Sequence, residues 1–329
     1  MTTRELFARA WLLASAALAA IGSAHAQSPA ATPTYPSKLV RLITTYPPGG
    51  ASDIMARIVF EQVGQQLGQT VVVENHGGAG TTTGMAAVAK SPPDGYTILV
   101  NSTSYVVVAS TYAKLPYNPY EDMVGIALLA HFPFVVATSR TYKNLADLVE
   151  AGRLQPSPLT SASFGIGSSG HLAIERLLHA AKFQATVVPF RGAPEAVAEL
   201  AAGRLDMYAG VLPNVLELAK AGEINLVGVM SPKRSALVPD VPTTIEAGYP
   251  DSDYDFWMGS YLPAKTPRPI IERLNAEVAK ALQDEGLKTK IRQLGGEVET
   301  MSVDEFNAFI AKERAINADI VKLIGYQPH

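Results

Sequence analysis

An α/β fold of two lobes, each a mostly parallel sheet flanked by helices, follows from three features of the sequence. Short apolar or β-branched runs alternate with helical patterns, glycine- and serine-rich loops follow the runs, and the alternation restarts near residue 145. In such sheets the loops at the carboxyl ends of parallel strands gather along one edge, and ligands bind there. Two facing lobes would put two such edges across a cleft.

The first unit sets the grammar. An apolar run over residues 39–43 stops at Pro47-Pro48-Gly49-Gly50, and a helical pattern begins behind Ser52 and Asp53, both good residues for a first helical turn. Glycines here let a ligand approach the free amide hydrogens of the helix start, and such a terminus attracts anions. A single glycine pair could equally be a tight turn that binds nothing, so recurrence matters. It recurs: a β-branched strand over 70–74 leads into His76-Gly77-Gly78-Ala79-Gly80-Thr81 and a small-residue helix over 82–90. A strand over 96–100 then leads into Asn101-Ser102-Thr103-Ser104, and strands are expected at 125–130 and 134–138, broken by His131-Phe132-Pro133.

In the second series a helix over 145–151 and a strand over 159–163 precede Gly165-Ile166-Gly167-Ser168-Ser169-Gly170-His171, which opens a helix to about residue 181. A strand over 185–189 leads into Phe190-Arg191-Gly192-Ala193-Pro194 and a helix over 195–202; strands at 207–211 and 226–230 flank a helix over 214–221. Residues 255–262 are extended and aromatic. The chain then returns to helices, with a short strand expected at 297–300. That ending predicts a tail packed back on the first lobe, giving domain 1 as residues 37–132 and 257–329 and domain 2 as 133–256, hinged where the chain crosses.

Arg4 and Arg9, an apolar run over 10–21 and Ala24-His25-Ala26 form the charge, core and small-residue pattern of a secretory signal peptide cleaved after Ala26. Residues 27–36, rich in Pro, Ala, Ser and Thr, read as a flexible leader. The expectation is an exported, periplasmic protein. A net charge of −3 over 329 residues argues against nucleic acid or an anionic membrane as partner. With no cysteine there is no disulfide, thiolate metal site or thiol nucleophile. Neither a cofactor nor a metal is expected.

Chemistry-bearing alternatives weaken on inspection. Gly165-x-Gly167-x-x-Gly170 has dinucleotide-fingerprint spacing, but the following strand ends in Phe190-Arg191-Gly192 without the ribose-binding acid. The Gly-x-Ser-x-Gly elbow of hydrolases is one residue short at Gly167-Ser168-Ser169-Gly170. His171 could serve Ser169 in an exported hydrolase, or donate a hydrogen bond to a loop carbonyl; the second is the plainer account. Arg191 could meet a ligand carboxylate or pair with Glu195. Asp206 could brace a loop or touch ligand, Asp53 could stabilise its helix or receive an amino group, and Trp257 could pack the hinge or stack on ligand.

Taken jointly, several motifs carry a family resemblance: Pro48-Gly49-Gly50-Ala51-Ser52-Asp53 with Ala56-Arg57, Glu74-Asn75 with Gly78-Ala79-Gly80, and Pro93-Asp94-Gly95-Tyr96-Thr97. Ser163-x-Gly165-x-Gly167-Ser168, Arg191-Gly192, Pro239-Asp240-Val241-Pro242-Thr243 and Trp257-x-Gly259 continue it over nearly all of the chain after the leader. The chain resembles the Bug family of periplasmic receptors that serve tripartite tricarboxylate transporters. The resemblance implies a two-domain Venus-flytrap binding-protein fold without catalysis, a small carboxylate as ligand, a membrane permease as partner and action as a monomer. A sensor docking on a signalling partner is the other non-enzymatic possibility.

Carried over, the carboxylate would be held through backbone amides and bridging waters by Tyr46, Pro48, Gly49, Gly50, Ala51 and Ser52, with Ala79, Gly80 and Thr81. Ser163, Gly167, Ser168, Ser169, Arg191, Gly192 and Ala193 would form the opposing wall, and Asp53, Asn101, Ser102 and Asp206 complete the candidate set. His76, Gly77 and Thr81 depart from the family's Arg, Pro and last Gly in the second loop, and Phe190 replaces its usual Tyr.

Overall fold

A computed structural model describes residues 35–154 and 157–328. The signal peptide and most of the leader lie outside the described residues. Among those described, no helix is long and apolar enough to cross a membrane.

In the first lobe β1 (Val40–Thr44) runs parallel to β2 (Val71–Asn75) on one side and β3 (Thr97–Ser102) on the other. β4 (Met123–Thr138) and β9 (Asp255–Pro263) complete that sheet, with β9 antiparallel to both β3 and β4. In the second lobe β5 (Leu159–Ser163) is parallel to β6 (Ala185–Pro189) and β7 (Met207–Val211). The far half of β4 pairs antiparallel with β7 and with β8 (Asn225–Val229). The strand–helix units are therefore parallel as their grammar dictates, and the crossing strands are antiparallel.

β4 is one strand of 16 residues where the sequence reading has two. Its last pairing with β9 is Pro133 opposite Asp255, and its first with β7 is Phe134 opposite Val211. The proline sits where the ladder changes partners, so its missing N–H interrupts nothing.

α1 (Ala51–Leu67) starts at Gly50 and stops at Gly68, whose φ of 64° suits glycine. α2 (Thr82–Ala89) follows the second glycine loop. α3 (Ser104–Thr111) is a helix that the sequence reading leaves as loop; its Tyr105, Val106, Val107 and Val108 are all buried, so no amphipathic period marks it.

In the second lobe stand α4 (Leu145–Leu154), α5 (Ser169–Ala181), α6 (Ala193–Ala201) and α7 (Leu216–Lys220). The chain ends in α8 (Arg268–Gln283), α9 (Glu285–Gln293) and α10 (Val303–Leu323). α10 opens with a reciprocal capping box between Ser302 and Glu305. Its Phe306 and Phe309 meet the buried Trp257 of β9 edge-on at 6.0 and 5.0 Å, and Glu313 accepts the indole N–H at 3.1 Å. Trp257 is thus core of the first lobe, which holds the tail helices against the sheet. The strand expected at 297–300 reduces to a single bridge between Glu297 and His131.

Candidate functional site

The loops after β1, β2 and β3 face those after β5, β6 and β7, so the strand ends of both lobes meet across one cleft. The turn from β1 into α1 is held from behind. Asp53, buried, accepts from Gly49 N at 3.1 Å, Asn75 Nδ2 at 2.8 Å and Arg57 Nε at 3.1 Å. Burial alone would raise the carboxyl's pKa; the bonds from Arg57, Asn75 and Gly49 outweigh it and hold it below the usual range. Asp53 therefore belongs to the scaffold of the loop and not to a ligand contact. The amides of Gly50, Ser52 and Asp53 find no acceptor among the described residues, and that of Ala51 donates across the cleft to Asn214 Oδ1 at 3.2 Å.

The lobes touch. Tyr112 OH donates to Ile166 O at 2.9 Å, Thr111 Oγ1 donates to Gly167 O at 2.7 Å, and the rings of Tyr46 and Phe164 meet edge-on at 6.1 Å. A Cβ on Gly80 would lie 2.6 Å from Ile166 O, and one on Gly192 would lie 2.3 Å from Pro47 Cγ. Glycine at 80 and 192 is what this approach requires.

Among the described residues, two spaces lie between the facing loops of the lobes. One, of about 20 Å³, is enclosed by Tyr46, Gly50, Ala51, Ser52, Phe164 and Asn214, among others. The second, of about 460 Å³, opens between the second glycine loop and the β5–α5 and β6–α6 loops, with Ala79, Gly80, Thr81, Tyr46, Phe164 and Arg191 in its wall. Tyr46 and Phe164 border both. Arg191 makes no side-chain ion pair among the described residues: Glu195 takes its backbone N–H at 3.5 Å instead of its guanidinium. It is a cation that a ligand can reach.

Of the candidate residues, Tyr46, Gly50, Ala51, Ser52, Ala79, Gly80, Thr81, Arg191 and Ala193 line these spaces. Pro48 and Gly49 are part of the same turn but do not line them. Asn101 and Ser102 are fully buried behind the cleft: Asn101 Oδ1 accepts from Thr45 Oγ1 at 2.8 Å, and Ser102 Oγ lies 3.2 Å from the Tyr46 hydroxyl. Ser169 is equally buried, with its N–H donated to Ser104 Oγ at 2.9 Å and its own Oγ accepting from that hydroxyl at 3.0 Å. Ser104 is also 2.9 Å from the Tyr46 hydroxyl, so a run of hydroxyls ties the lobes together behind the ring.

Ser163 Oγ donates to Gly165 O at 3.1 Å, and Ser168 caps α5 by accepting from His171 N at 3.4 Å. Asp206 is at the other end of the sheet. Its carboxylate accepts from Thr160 N and Oγ1, both at 2.8 Å, because it follows α6 and precedes β7 at their far edge. It braces that edge and does not belong to the site.

His171 corrects the sequence expectation in sign: Nδ1 accepts the Gly167 N–H at 3.0 Å, where donation to a carbonyl was expected. Nε2, the protonated nitrogen by that assignment, lies 3.4 Å from Glu175 Oε1. With Ser169 bonded to Ser104 and His171 to Gly167, these two residues do not form a pair for nucleophilic attack. Phe164 and Asn214, which the sequence reading misses, sit directly after β5 and in the turn after β7. Their only sequence signal is that position at a strand end.

Two sheets joined by crossing strands, with glycine-loop helix starts facing each other over a cleft, define a periplasmic-binding-protein architecture. Residues 55–326 match the model of the tripartite tricarboxylate transporter family receptor, and the chain belongs to that family of solute-binding receptors, not to an enzyme family. Protein BugT of Bordetella pertussis is 32 % identical over 309 residues, 93 % of this chain and 95 % of that one. Among solved structures, the periplasmic binding protein BugD superposes with a TM-score of 0.86 at 29 % identity, covering 90 % of this chain and 100 % of its own. An R. palustris protein solved with adipate gives the same TM-score of 0.86 at 28 % identity, with coverage of 90 % and 100 %.

Proposed function

We propose that this receptor binds a small carboxylate between its lobes, with one carboxylate group on the amides of Gly50, Ala51 and Ser52 at the start of α1, and delivers it to a membrane permease. The carrying observation is the α1 terminus itself: it is aimed into the cleft, its loop is braced by Asp53, and it has amide hydrogens without acceptors. The macrodipole adds partial positive charge at the same point. Ala79 to Thr81 border the adjoining space, and Arg191 on its opposite wall would meet a second acidic group. The relative solved with adipate supports a dicarboxylate in this size range.

Charge-assisted bonds from backbone amides contribute roughly 1.5–3 kcal/mol each. Four of them supply at most about 12 kcal/mol before the costs of association, so a micromolar complex of about −8 kcal/mol needs further contacts, such as one to Arg191, beside them. The space at α1 has about 20 Å³, room for one water and not for a dicarboxylate, so the lobes must part for entry. The switch of β4 from β9 to β7 between Pro133 and Phe134 supports a hinge there, with a second crossing just before β9. The signal peptide, residues 1–26, would export the chain, which would act as a monomer.

Thermal denaturation across a panel of mono-, di- and tricarboxylates tests this reading. A ligand at about 100 times its Kd adds roughly 2.7 kcal/mol and raises the Tm. Gly50→Val should abolish the response to every acid alike while leaving the fold unchanged. Gly50 has φ −76°, open to any residue, and the nearest atom to a Cβ there is Pro47 O at 3.6 Å. A panel without a single shift, on protein that mass spectrometry finds free of bound acid, would defeat the proposal, and so would full affinity in Gly50→Val.

A further inference from the structure

The start of α1 is already engaged by a side chain from the other lobe. Ala51 N donates to Asn214 Oδ1 at 3.2 Å, and Asn214 Nδ2 donates to the Tyr208 hydroxyl at 3.2 Å. A main-chain N–H can only donate, so the Ala51 contact fixes which edge of the carboxamide faces the helix. Burial raises the Tyr208 pKa, so its hydroxyl stays neutral and accepts from the other edge. The geometry is held firmly: Asn214 ends the short turn Leu212–Asn214 after β7, Leu212 of the turn and Val211 of the strand are buried, and Tyr208 is fully buried on the same strand.

A carboxamide oxygen is the neutral counterpart of a carboxylate oxygen. It accepts the same N–H in the same geometry with less charge. The enclosed space beside it has about 20 Å³, so Asn214 Oδ1 and a ligand carboxylate cannot both sit on the Ala51 amide in this closed arrangement.

We infer that Asn214 is a built-in surrogate for the ligand carboxylate: it latches the lobes through the Ala51 amide that the ligand claims, and the ligand binds by displacing it. This rests on the reading of the α1 terminus as the carboxylate site. A carboxylate wins the exchange because hydrogen bonds to an ionised acceptor are about twice as strong as neutral ones. A neutral solute offers the amide nothing better than it already has. The latch therefore sharpens discrimination for anions over neutral solutes of similar shape, in addition to the attraction that the helix terminus exerts by itself.

Asn214→Asp and Asn214→Ala, each checked for folding by circular dichroism, separate the possibilities. Asn214→Asp places a full carboxylate on Ala51. Without ligand it should keep the compact small-angle scattering profile of the wild type, and its adipate affinity should fall at least about tenfold, equivalent to 1.4 kcal/mol. Asn214→Ala removes the latch, and its ligand-free radius of gyration should exceed that of the wild type. Asn214→Ser, too short to reach Ala51, replaces the alanine variant if that one does not fold. Adipate affinity in Asn214→Asp equal to wild type would overturn the inference, as would ligand-free scattering unchanged in the truncation that folds. If the wild type itself binds no carboxylate, the receptor reading fails, whereas the scattering comparison still decides whether the latch exists.

Discussion

Thr81 holds a backbone conformation that its side chain disfavours. Its φ is 89°, in a loop where Gly78, Ala79 and Gly80 also have positive φ, and β-branched residues rarely enter that region. Glycine would take this conformation without that strain. Strain of this kind costs about 1–3 kcal/mol and persists where neighbours fix it. Here Asn101 Nδ2 donates to Thr81 Oγ1 at 3.3 Å, and the hydroxyl reaches Met85 Sδ at 3.6 Å. Both Thr81→Ala and Thr81→Gly lose these contacts, but only glycine loses the strain. Thr81→Gly should be more stable than Thr81→Ala by about 1 kcal/mol in urea unfolding, the reverse of the usual order in ordinary backbone. Equal stabilities would mean that the loop relaxes in solution. The threonine is legible in the sequence; its left-handed backbone is not, because no local pattern calls for a positive φ at a β-branched residue.

The crossing strand β4 is where sequence patterns informed least. A proline beside two aromatics reads as an interruption, yet the strand runs through because the ladder changes partners at that residue. Likewise, four consecutive buried residues conceal α3, since a helix buried all round has no polar stripe to give its period. By contrast, each strand, glycine loop and helix unit was legible, because capping residues and turn glycines act locally. At the crossing, His131 of β4 bonds through Nδ1 to Asp255 at the start of β9 at 3.1 Å, and its Nε2 is 3.7 Å from Glu299. Burial would lower its pKa, but Asp255, Glu299 and Glu313 together raise it above the usual imidazole value. A group with a raised folded pKa stabilises most below the unfolded value near 6.5, and that contribution disappears as pH rises through the folded pKa. Wild-type Tm should therefore fall more steeply than that of His131→Gln between about pH 6 and pH 8. Parallel curves would show that the imidazole does not couple the two crossing strands.

At the scale of the whole molecule, closure is decided by how near the two lobes can come, and Gly192 sets a limit. It is the residue before α6, with φ −177°, so its backbone suits any amino acid. A methyl group there costs the second lobe nothing by itself, yet it would lie 2.3 Å from Pro47 Cγ and 2.6 Å from Pro47 Cδ of the facing lobe. A proline ring has little freedom to retreat. The lobes of Gly192→Ala would have to stop short of the arrangement in which Ala51 meets Asn214 and Tyr112 meets Ile166. A bound acid would then make fewer of its contacts with the second lobe, while stability without ligand stays near wild type. The expected loss of adipate affinity is about tenfold or more, some 1.4 kcal/mol, measured by calorimetry. Adding Pro47→Ala removes the ring atoms in conflict and should restore much of that loss, because the two side chains share a single contact. If Gly192→Ala binds as the wild type does, the working closed form is looser than this one; if the double variant recovers nothing, the fault lies in the β6–α6 loop and not in the approach of the lobes.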